Sequence, residues 1–434
     1  MIEALLDVNW LKRLANYGKL IVGFSGGLDS TVLLHYLALQ PQLTCKIIAV
    51  HVNHGLSPNA DVWQAHCLQF CSRLGIPIGI HQVVFDRHAN VEENARDARY
   101  QVFYSQLTKD DCLLLAHHCN DQAETVLLQL MRGSGIDGLA AMASMKTLAL
   151  GELARPLLQH SRCMLEAYAR EHHLIWIDDE SNQDNTFSRN YIRNQVLPLL
   201  TAKWPKAVKN LAACAAHCQQ ARLNLDDLAV LDCEDLDTGR DTLLLSSLQN
   251  LSHARLTNVL RSWIKNNDVK MPSAKTFNRL IDEVIMAGND TTACVQWNEI
   301  IIKRYQQTLY ILQQNVSSRP QNLEWVNFPE PLPLGNDSDY LYVSQVAQGL
   351  QVPTGSRIQV CFRQGGELLH WRGQTKSLKK LFQQWRVPPW RRDAIPLVYI
   401  DKCLALVVGY AISDHYYNKS PNQGYHIHFH IPSN

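Results

Sequence analysis

The stretch VGFSGGLDSTVLL, residues 22–34, joins a short apolar run to a glycine pair and then to a helical pattern. The apolar run predicts a buried β-strand, and the spacing that follows predicts a helix over Asp29–Leu39. The buried stripe of that helix is expected to contain Val32, Leu33, Tyr36 and Leu37. Glycines between a strand and a helix allow a tight turn whose backbone N–H groups face an anion. The stretch therefore predicts a phosphate-binding turn.

This turn differs from the phosphate loop of kinases. A Walker loop reads G-x-x-x-x-G-K-[ST] and uses its lysine to hold transferable phosphates, whereas Leu28, Asp29 and Ser30 follow the glycines here. The difference favours a loop that grips pyrophosphate as a leaving group, with Asp29 or another carboxylate holding Mg²⁺. The alternative is a glycine-rich turn that binds nothing.

Working outward, short apolar runs alternate with helical segments over residues 1–205. The runs are KLIVGF, KIIAVHVNH, IPIGIHQVVF, DCLLLAHH and HLIWIDD. Runs this rich in Ile, Val and Leu are typical of parallel strands covered on both faces. The alternation predicts an α/β domain with a doubly wound, mostly parallel sheet.

Polar side chains follow several of these strands where each strand ends. They are Ser25, His51, Asn53, His117 and His118. Because ligands bind beyond the carboxyl ends of the strands in an open parallel sheet, we expect these loops to converge on one site.

A second signature, AHHCNDQAETVLLQLMRGSGIDGL, predicts a helix that starts near Asp121, with Val126, Leu127 and Leu130 as its buried stripe. Asp121 and Glu124 lie in its first turn, where carboxylates either hold a metal or cap the helix.

Two arginines lie between the signatures, in the segment EENARDARYQVF. Arg96 and Arg99 are expected on a helix that follows the third strand, where one of them either neutralises phosphate charge or forms a surface ion pair.

Taken together, the motifs SGGLDS, HVNHGL, ARDARY, AHHCNDQAET, RGSGIDGL and DESNQDNTFSRNYIRNQVLP resemble the bacterial tRNA(Ile)-lysidine synthase family. That family belongs to the PP-loop ATP-pyrophosphatases. The first hexamer is shared by the whole group, while the histidine-pair and R-N-x-I-R motifs are more specific.

The resemblance implies an ATP-dependent ligase that modifies the wobble cytidine of an isoleucine tRNA with a CAU anticodon. Cytidine O2 attacks the α-phosphate of ATP and releases pyrophosphate, and the ε-amino group of free L-lysine then displaces AMP at C2. The modified base pairs with A instead of G, and the tRNA changes from methionine to isoleucine identity. ATP and Mg²⁺ are the implied cofactors.

The resemblance also implies roles for individual residues. Pyrophosphate is assigned to Ser25, Gly26, Gly27, Leu28, Asp29 and Ser30. The rest of ATP is assigned to Ala49, His51, Asn53, His117, Arg132 and Gly135. The catalytic centre is assigned to Asp29, Asp121 and Glu124 with Arg96 or Arg99, and Mg²⁺ to Asp29 and Asp121. The substrate nucleotide is assigned to Arg189, Asn190 and Arg193. Candidates for deprotonating the lysine amine are Asp29, Asp121 and Glu124.

The composition of the chain limits which partners and which cellular setting it is suited to. The chain has 434 residues and a net charge of +1, so a nucleic-acid surface must come from local clustering. Its twelve cysteines include no Cys-x-x-Cys pair, and no apolar run reaches the ~18 residues of a membrane span. We expect a reducing, cytoplasmic setting without membrane partners, and the oligomeric state stays open.

The remaining chain divides by composition. Residues 206–314 predict a mainly helical middle domain with strands at its end, which we expect to take part in tRNA recognition. Residues 315–339 are rich in Pro, Asn and Ser and predict a linker, and residues 340–434 predict a C-terminal α+β domain that binds tRNA.

The C-terminal domain contains the local cluster of positive charge. Between His370 and Arg392 there are seven basic residues, no acidic ones and three interleaved tryptophans. The basic residues are Arg372, Lys376, Lys379, Lys380, Arg386, Arg391 and Arg392. A solvated face is the alternative, but with a tRNA substrate the cluster favours phosphate binding.

The sequence also raises three alternatives, a metal site, a tRNA thiolase and an ATP-sensing binding protein. YHIHFHIP places His426, His428 and His430 on one face of a strand, and its alternation is typical of an amphipathic strand rather than a metal site. A tRNA thiolase would need a cysteine pair or Fe–S ligands near the strand edge, where Cys119 is alone. An ATP-sensing RNA-binding protein would not need this set of carboxylates and arginines.

Overall fold

The protein is described from a computed structural model, for residues 4–55, 57–86, 91–234, 236, 241–286, 293–313, 321–335, 339–418 and 424–430. The chain divides into two compact units, Met1–Leu231 and Asp232–Asn434. Among the described residues, no helix combines the length and the apolarity that crossing a bilayer requires.

The first unit contains one six-stranded sheet. Its strands are β1 (Leu20–Gly23), β2 (Ile47–Asn53), β3 (Ile78–Gln82), β4 (Cys112–Leu114), β5 (Met145–Leu148) and β6 (Gly151–Ala154). The order is β3-β2-β1-β4-β6-β5, with every pairing parallel except β5 with β6. The predicted mostly parallel sheet is confirmed.

Ten helices accompany this sheet. They are α1 (Val8–Ala15), α2 (Leu28–Ala38), α3 (Ala60–Leu74), α4 (Val91–Gln106), α5 (Cys119–Met131), α6 (Ile136–Leu139), α7 (Arg162–Glu171), α8 (Ser188–Tyr191), α9 (Leu197–Lys203) and α10 (Ala207–Asp232). Alternate residues of β1 enter two different clusters, Leu20 and Val22 packing with α2 and Ile21 packing with Phe103 of α4. The sheet is therefore covered on both faces, as a doubly wound fold requires.

The α2 prediction is confirmed in position and in its buried stripe, since all four expected residues are buried. The α5 stripe is only partly correct, because Val126 is buried whereas Leu130 is 49% exposed. Leu130 lies near the C-terminal end of the helix, beyond the part that packs into the domain.

One predicted strand is wrong. The run HLIWIDD forms no strand, and β5 and β6 take the place in the sheet that it was expected to occupy. Instead, the Ile177 N–H donates to the Gly26 carbonyl (2.9 Å), and Trp176 packs against the main core. The apolar run covers the glycine turn rather than joining the sheet.

The second unit begins with helices and an antiparallel sheet. They are α11 (His253–Asn266), α12 (Ala274–Arg279), β7 (Thr242–Leu244), β8 (Cys294–Trp297), β9 (Ile300–Tyr305) and β10 (Thr308–Gln313). The strand order is β7-β10-β9-β8. Helix α11 buries an apolar face, with Trp263 2% exposed.

The rest of the second unit is rich in β-structure. Its strands are β11 (Leu323–Glu324), β12 (Leu332–Pro333), β13 (Tyr340–Val346), β14 (Gly349–Leu350), β15 (Ile358–Cys361), β16 (Leu368–Trp371), β17 (Gln374–Ser377), β18 (Leu397–Ile400), β19 (Cys403–Val407), β20 (Ala411–Ile412), β21 (Tyr417–Asn418) and β22 (Gly424–His430). Two helices, α13 (Leu378–Gln384) and α14 (Pro389–Arg392), follow the β16–β17 hairpin. The sheets run β11-β15-β18-β19-β20 and β12-β13-β22-β14-β21.

The segment predicted as a linker, 315–339, differs from that expectation where it is described. It contains β11 and β12, which pair with β15 and β13. Trp325 is 3% exposed within the C-terminal core. Of the described prolines in this segment only Pro333 lies in a strand, the edge strand β12, where proline is tolerated, and residues 314–320 and 336–338 lie outside the described part.

Candidate active site

In the turn between β1 and α2, the side chains of Ile177 and Cys67 pack closely against Gly26. Gly26 has φ +82°, and a Cβ there would lie 2.6 Å from the Ile177 side chain. Gly27 is the N-cap of α2. The Ser25 and Ser30 hydroxyls lie 3.1 Å apart, so the polar side chains of the turn stand together at the helix N-terminus, where negative charge is favoured.

His118 connects this turn to the second signature. Its Nε2 lies 3.5 Å from Asp29 Oδ2 and 3.5 Å from Asp121 Oδ2. Its Nδ1 accepts the Asn120 N–H (3.2 Å), which places the proton of the neutral ring on Nε2, facing both carboxylates. Burial lowers the pKa of His118, but the hydrogen bond to Asp29 and the charge of Asp121 outweigh burial and raise it. The two motifs therefore form one site.

Asp121 both caps α5 and pairs with cations. The His118 backbone N–H donates to its Oδ2 (2.9 Å), completing a capping box. Arg189 Nη2 and Arg193 Nη2 lie 2.9 and 3.4 Å from its Oδ1. Burial raises the pKa of Asp121, whereas His118 and Arg189 lower it, and the net effect brings it to about 2. Of the two alternatives left open for Asp121, the structure shows the helix cap, and it adds two arginine partners that the sequence did not indicate.

Glu124 is the centre of the arginine pair. It is 1% exposed, and its Oε1 and Oε2 accept from Arg193 Nε (2.6 Å) and Arg189 Nε (2.7 Å). Arg189 lies on α8 and Arg193 in the π-helical turn Ile192–Val196 that continues it. Their four-residue spacing brings both guanidinium groups to the same side of the chain. Both predicted arginines therefore meet both predicted carboxylates.

The two candidate arginines of α4 differ. Arg99 interacts electrostatically with Arg189 and with the half-buried His117, and burial lowers the pKa of Arg99. Arg99 forms no ion pair within the described part of the chain. Arg96 is exposed and lies over the Tyr100 ring, 5.5 Å from its centroid. Arg99 thus lies near Arg189 and His117, whereas the exposed Arg96 interacts electrostatically with Arg155 and Arg99.

Sequence reasoning missed Arg155. This arginine is 7% exposed, and its Nε donates to His117 Nδ1 (3.1 Å) while its Nη1 donates to the Ala143 carbonyl (2.8 Å). Burial lowers the pKa of His117 to about 3, so the ring is neutral and accepts this bond. Arg155 follows β6, a strand that the sequence analysis did not predict, so no pattern pointed to it.

Three of the residues assigned to ATP, Ala49, His51 and Asn53, lie on β2, with Asn53 as its last residue. His51 Nδ1 is 2.9 Å from the Phe24 carbonyl. Asn53 lines a cavity of about 310 Å³ together with Gln82 and Asp61. Ala49, in contrast, is 0% exposed within the core, so its methyl group faces the core and no ligand. Leu28 is likewise buried in that core.

Three further predicted residues have different surroundings from those expected. Arg132 is the C-cap of α5 and Gly135 the N-cap of α6, and α5 has 13 residues. At 1.5 Å per residue, its C-terminal end is about 18 Å from its N-terminal end beside the glycine turn, so Arg132 and Gly135 lie away from the pyrophosphate turn, and their contact with the rest of ATP stays a prediction. Asn190 donates to the Ser181 and Asp184 carbonyls (2.8 and 2.9 Å) and so holds its own loop.

One carboxylate oxygen fits a metal. Asp29 Oδ1 is buried and has no hydrogen-bond partner among the described residues, and such an oxygen is costly unless a cation or donor meets it. Mg²⁺ needs one or two carboxylates and otherwise takes phosphate and water oxygens. Asp29 therefore fits Mg²⁺, whereas both oxygens of Asp121 already have partners.

Only part of the basic cluster of the second unit is exposed to solvent and without an ion-pair partner among the described residues. Arg372, Lys379, Lys380 and Arg386 are exposed, and Lys376 is half-buried. Arg391 Nη2 donates to Asp241 Oδ2 (2.7 Å). Arg392 is 8% exposed and donates to the Val387 carbonyl (2.9 Å) and the Tyr305 hydroxyl (3.2 Å). Arg392 is thus a core residue, and its predicted contact with tRNA is wrong.

The histidines of β22 follow the amphipathic pattern. His426 and His428 lie on one face and bond to each other (Nδ1 to Nε2, 2.9 Å), while Ile427 is buried on the other. Within the described residues, no group of three His, Cys, Asp or Glu side chains is placed to hold a metal ion. Cys119 is buried, and its thiol contacts the Val208 carbonyl (3.9 Å).

Comparison with known proteins adds family relationships. A PP-loop domain family matches residues 6–200, a TilS substrate binding domain matches residues 243–310, and a TilS substrate C-terminal domain matches residues 358–429.

Three full-length relatives carry the same protein name. Proteins called tRNA(Ile)-lysidine synthase from Legionella pneumophila (strain Paris), Coxiella burnetii (strain RSA 493 / Nine Mile phase I) and Serratia proteamaculans (strain 568) are 51%, 37% and 38% identical to this chain. The alignments cover 98%, 97% and 98% of this chain and 99%, 95% and 98% of those proteins.

Proposed function

This chain belongs to the tRNA(Ile)-lysidine synthase family, and from that premise we propose that it ligates free L-lysine to C2 of the wobble cytidine in a CAU anticodon. In the first step, cytidine O2 attacks the α-phosphorus of ATP, and the bond to pyrophosphate breaks. In the second step, the lysine ε-nitrogen bonds to C2, the C2–O2 bond breaks, and O2 leaves as part of AMP. The amine loses its protons during this exchange.

The observation that carries the proposal is the His118 bridge. It joins the glycine turn, which suits a pyrophosphate leaving group, to the carboxylate–arginine network, which suits a reacting nucleotide. No lysine is needed in the turn, because no γ-phosphoryl group is transferred.

The charge balance at this site favours an anionic substrate. Three carboxylates face four arginines, Arg99, Arg155, Arg189 and Arg193, so one positive charge is in excess before His118 is counted. We assign to Arg99 and to the Arg189–Arg193 pair the stabilisation of charge that builds up on the α-phosphate. When bound, Mg²⁺ would neutralise pyrophosphate oxygens, held on the protein side by Asp29.

The same contacts argue against two of the candidate bases for the lysine amine, Asp121 and Glu124. A general base works best with a pKa near the operating pH, and the pKa of Asp121 is about 2. Glu124 has both oxygens occupied by arginines. We therefore assign to Asp121 and Glu124 the positioning of Arg189 and Arg193 rather than deprotonation of the amine.

In the second unit, we propose that the exposed part of the basic cluster binds the tRNA body. Lys379 and Lys380 project from α13 while Leu378, Leu381 and Phe382 bury its other face. A patch of one sign contributes affinity through counterion release, without touching the reacting groups.

The direct test is incubation with ATP, L-lysine and tRNA, followed by nucleoside mass spectrometry. Lysidine, with pyrophosphate and AMP released in equal amounts, is the expected result. Formation of 2-thiocytidine with a sulfur donor would support a thiolase instead, and tight ATP and tRNA binding without turnover would support a binding protein. A glutamine or arginine control in place of lysine checks the amino-acid specificity.

A further inference from the structure

A second cavity of about 350 Å³ lies farther along α5, in the first unit. Its walls come from the last turns of α5 and from α8 with the segment before it. The side chains that matter below are Leu128, Arg132, Ser188, Tyr191 and Ile192.

This cavity adjoins the catalytic network on both walls. Leu128 follows Glu124 by one helical turn on α5, and Ser188 and Ile192 are the direct neighbours of Arg189 and Arg193. Seven residues separate Leu128 from Asp121, which corresponds to about 10 Å along the helix. A ligand in the cavity would lie beside the reacting nucleotide without overlapping it.

The chemistry of the walls suits a nucleotide. Leu128 and Ile192 supply an apolar floor, and Tyr191 is 52% exposed, so its ring offers a face for stacking. The Arg132 guanidinium is exposed and forms no ion pair within the described part of the chain, which suits a phosphate. The Ser188 hydroxyl adds a hydrogen-bonding group.

We propose that this cavity receives an unpaired nucleotide of the anticodon loop next to the modified cytidine, with its base on Tyr191 and a phosphate on Arg132. The inference rests on the proposed function and adds a specificity subsite to it. It also gives the exposed Arg132 guanidinium an anionic partner in the RNA.

Free lysine fits the cavity less well. None of the lining residues carries a carboxylate that would meet an ammonium group. Met131 is 74% exposed at the rim, so the cavity opens widely to solvent, which suits a polymer better than a small ligand that must be enclosed.

The experiment uses the full chain and an anticodon stem–loop RNA, intact or with an abasic nucleotide directly 5′ or 3′ of the cytidine. Tyr191→Ala is compared with wild type, and Tyr104→Ala, another exposed tyrosine of the same unit, is the matched control. Loss of one stacked base corresponds to about 5- to 150-fold weaker binding. Wild type should bind one of the two abasic RNAs more weakly than the intact RNA by this factor. Tyr191→Ala should bind the intact RNA more weakly by the same factor, and it should bind that abasic RNA no more weakly than the intact one.

Arg132→Gln is the second variant, with the exposed Arg73→Gln as its control. It should lower the slope of log affinity against log salt by about 0.7, the value for one phosphate of a single strand. The KM for ATP should stay unchanged in Tyr191→Ala.

If the loss of RNA affinity caused by Tyr191→Ala simply adds to the loss caused by each abasic nucleotide, the inference is overturned. A raised KM for lysine with unchanged RNA affinity would overturn it too and assign the cavity to the amino acid. Wild-type lysidine formation reports on the proposed function separately, so either claim can fail while the other holds.

Discussion

Replacing Asp29 with Asn should abolish turnover and leave the stability of the protein nearly unchanged. Asp29 Oδ1 is buried without a partner among the described residues, and Oδ2 faces His118 Nε2 at 3.5 Å, a contact that an asparagine oxygen can keep; Arg193, on which the Asp29 charge also acts, keeps its bonds to Glu124. Removing the negative charge thus breaks little within the protein, and an amide has almost the same shape. The metal and the pyrophosphate, in contrast, lose their anchor, which is worth several kcal/mol of transition-state stabilisation.

Glu124→Gln is the matched contrast. Glu124 is 1% exposed and accepts from two guanidinium groups, and removing one member of a buried ion pair costs about 3–5 kcal/mol. For a unit of this size, that cost lowers Tm by about 6–20 °C. Asp29→Asn should shift Tm by no more than 2–3 °C, about 1 kcal/mol at this scale.

The assays are ATP–pyrophosphate exchange in the presence of tRNA and thermal unfolding by calorimetry. We expect Asp29→Asn to lose at least about a hundredfold in exchange rate, equivalent to ~2.7 kcal/mol. The reasoning is refuted if Asp29→Asn destabilises as much as Glu124→Gln, because Asp29 is then a structural ion-pair partner. Normal exchange in the folded variant would refute it equally.

Three further outcomes are expected. Lys379→Glu with Lys380→Glu should raise the KM for full tRNA and lower the salt slope of tRNA binding by about two, one for each lost phosphate contact, and an unchanged slope would make α13 a solvated face. Arg392→Gln should lower the free energy of unfolding by about 1–3 kcal/mol through lost buried hydrogen bonds without changing that slope; a changed slope at full stability would return Arg392 to the RNA surface. Because the pKa of His117 is about 3 in the folded protein and about 6.5 when unfolded, the unfolded chain binds this proton first as pH falls. Wild type should therefore lose about 1.4 kcal/mol more than His117→Asn for each pH unit below 6.5, as measured by urea unfolding, and parallel pH profiles would contradict this.

Much of the fold was predictable because its signals are local. Buried strands such as β1 and β2 are short runs of Ile, Val and Leu, and α2 begins directly after a glycine pair. Parallel strands end at the same edge of a sheet, so strand order was not needed to place Ser25, His51 and His118 near one another. The β5–β6 hairpin was missed because its strands are short and polar at several positions, while HLIWIDD has an apolar pattern that the fold uses elsewhere.

Within the site, the sequence by itself predicted several of the side chains that meet, among them Asp29, His118, Asp121 and Glu124, and the sheet edge at which they stand, since each lies in a local pattern that ends a strand or begins a helix; it did not predict Arg155. Only the tertiary structure decided their partners. Glu124 meets Arg189 across 65 residues of chain, Arg155 donates to His117, and Arg392 is buried although its sequence pattern predicted an exposed side chain. The reason is physical: periodicity tells which face of an element is apolar, but a charge is paired or free according to what a distant segment brings within about 3 Å of it.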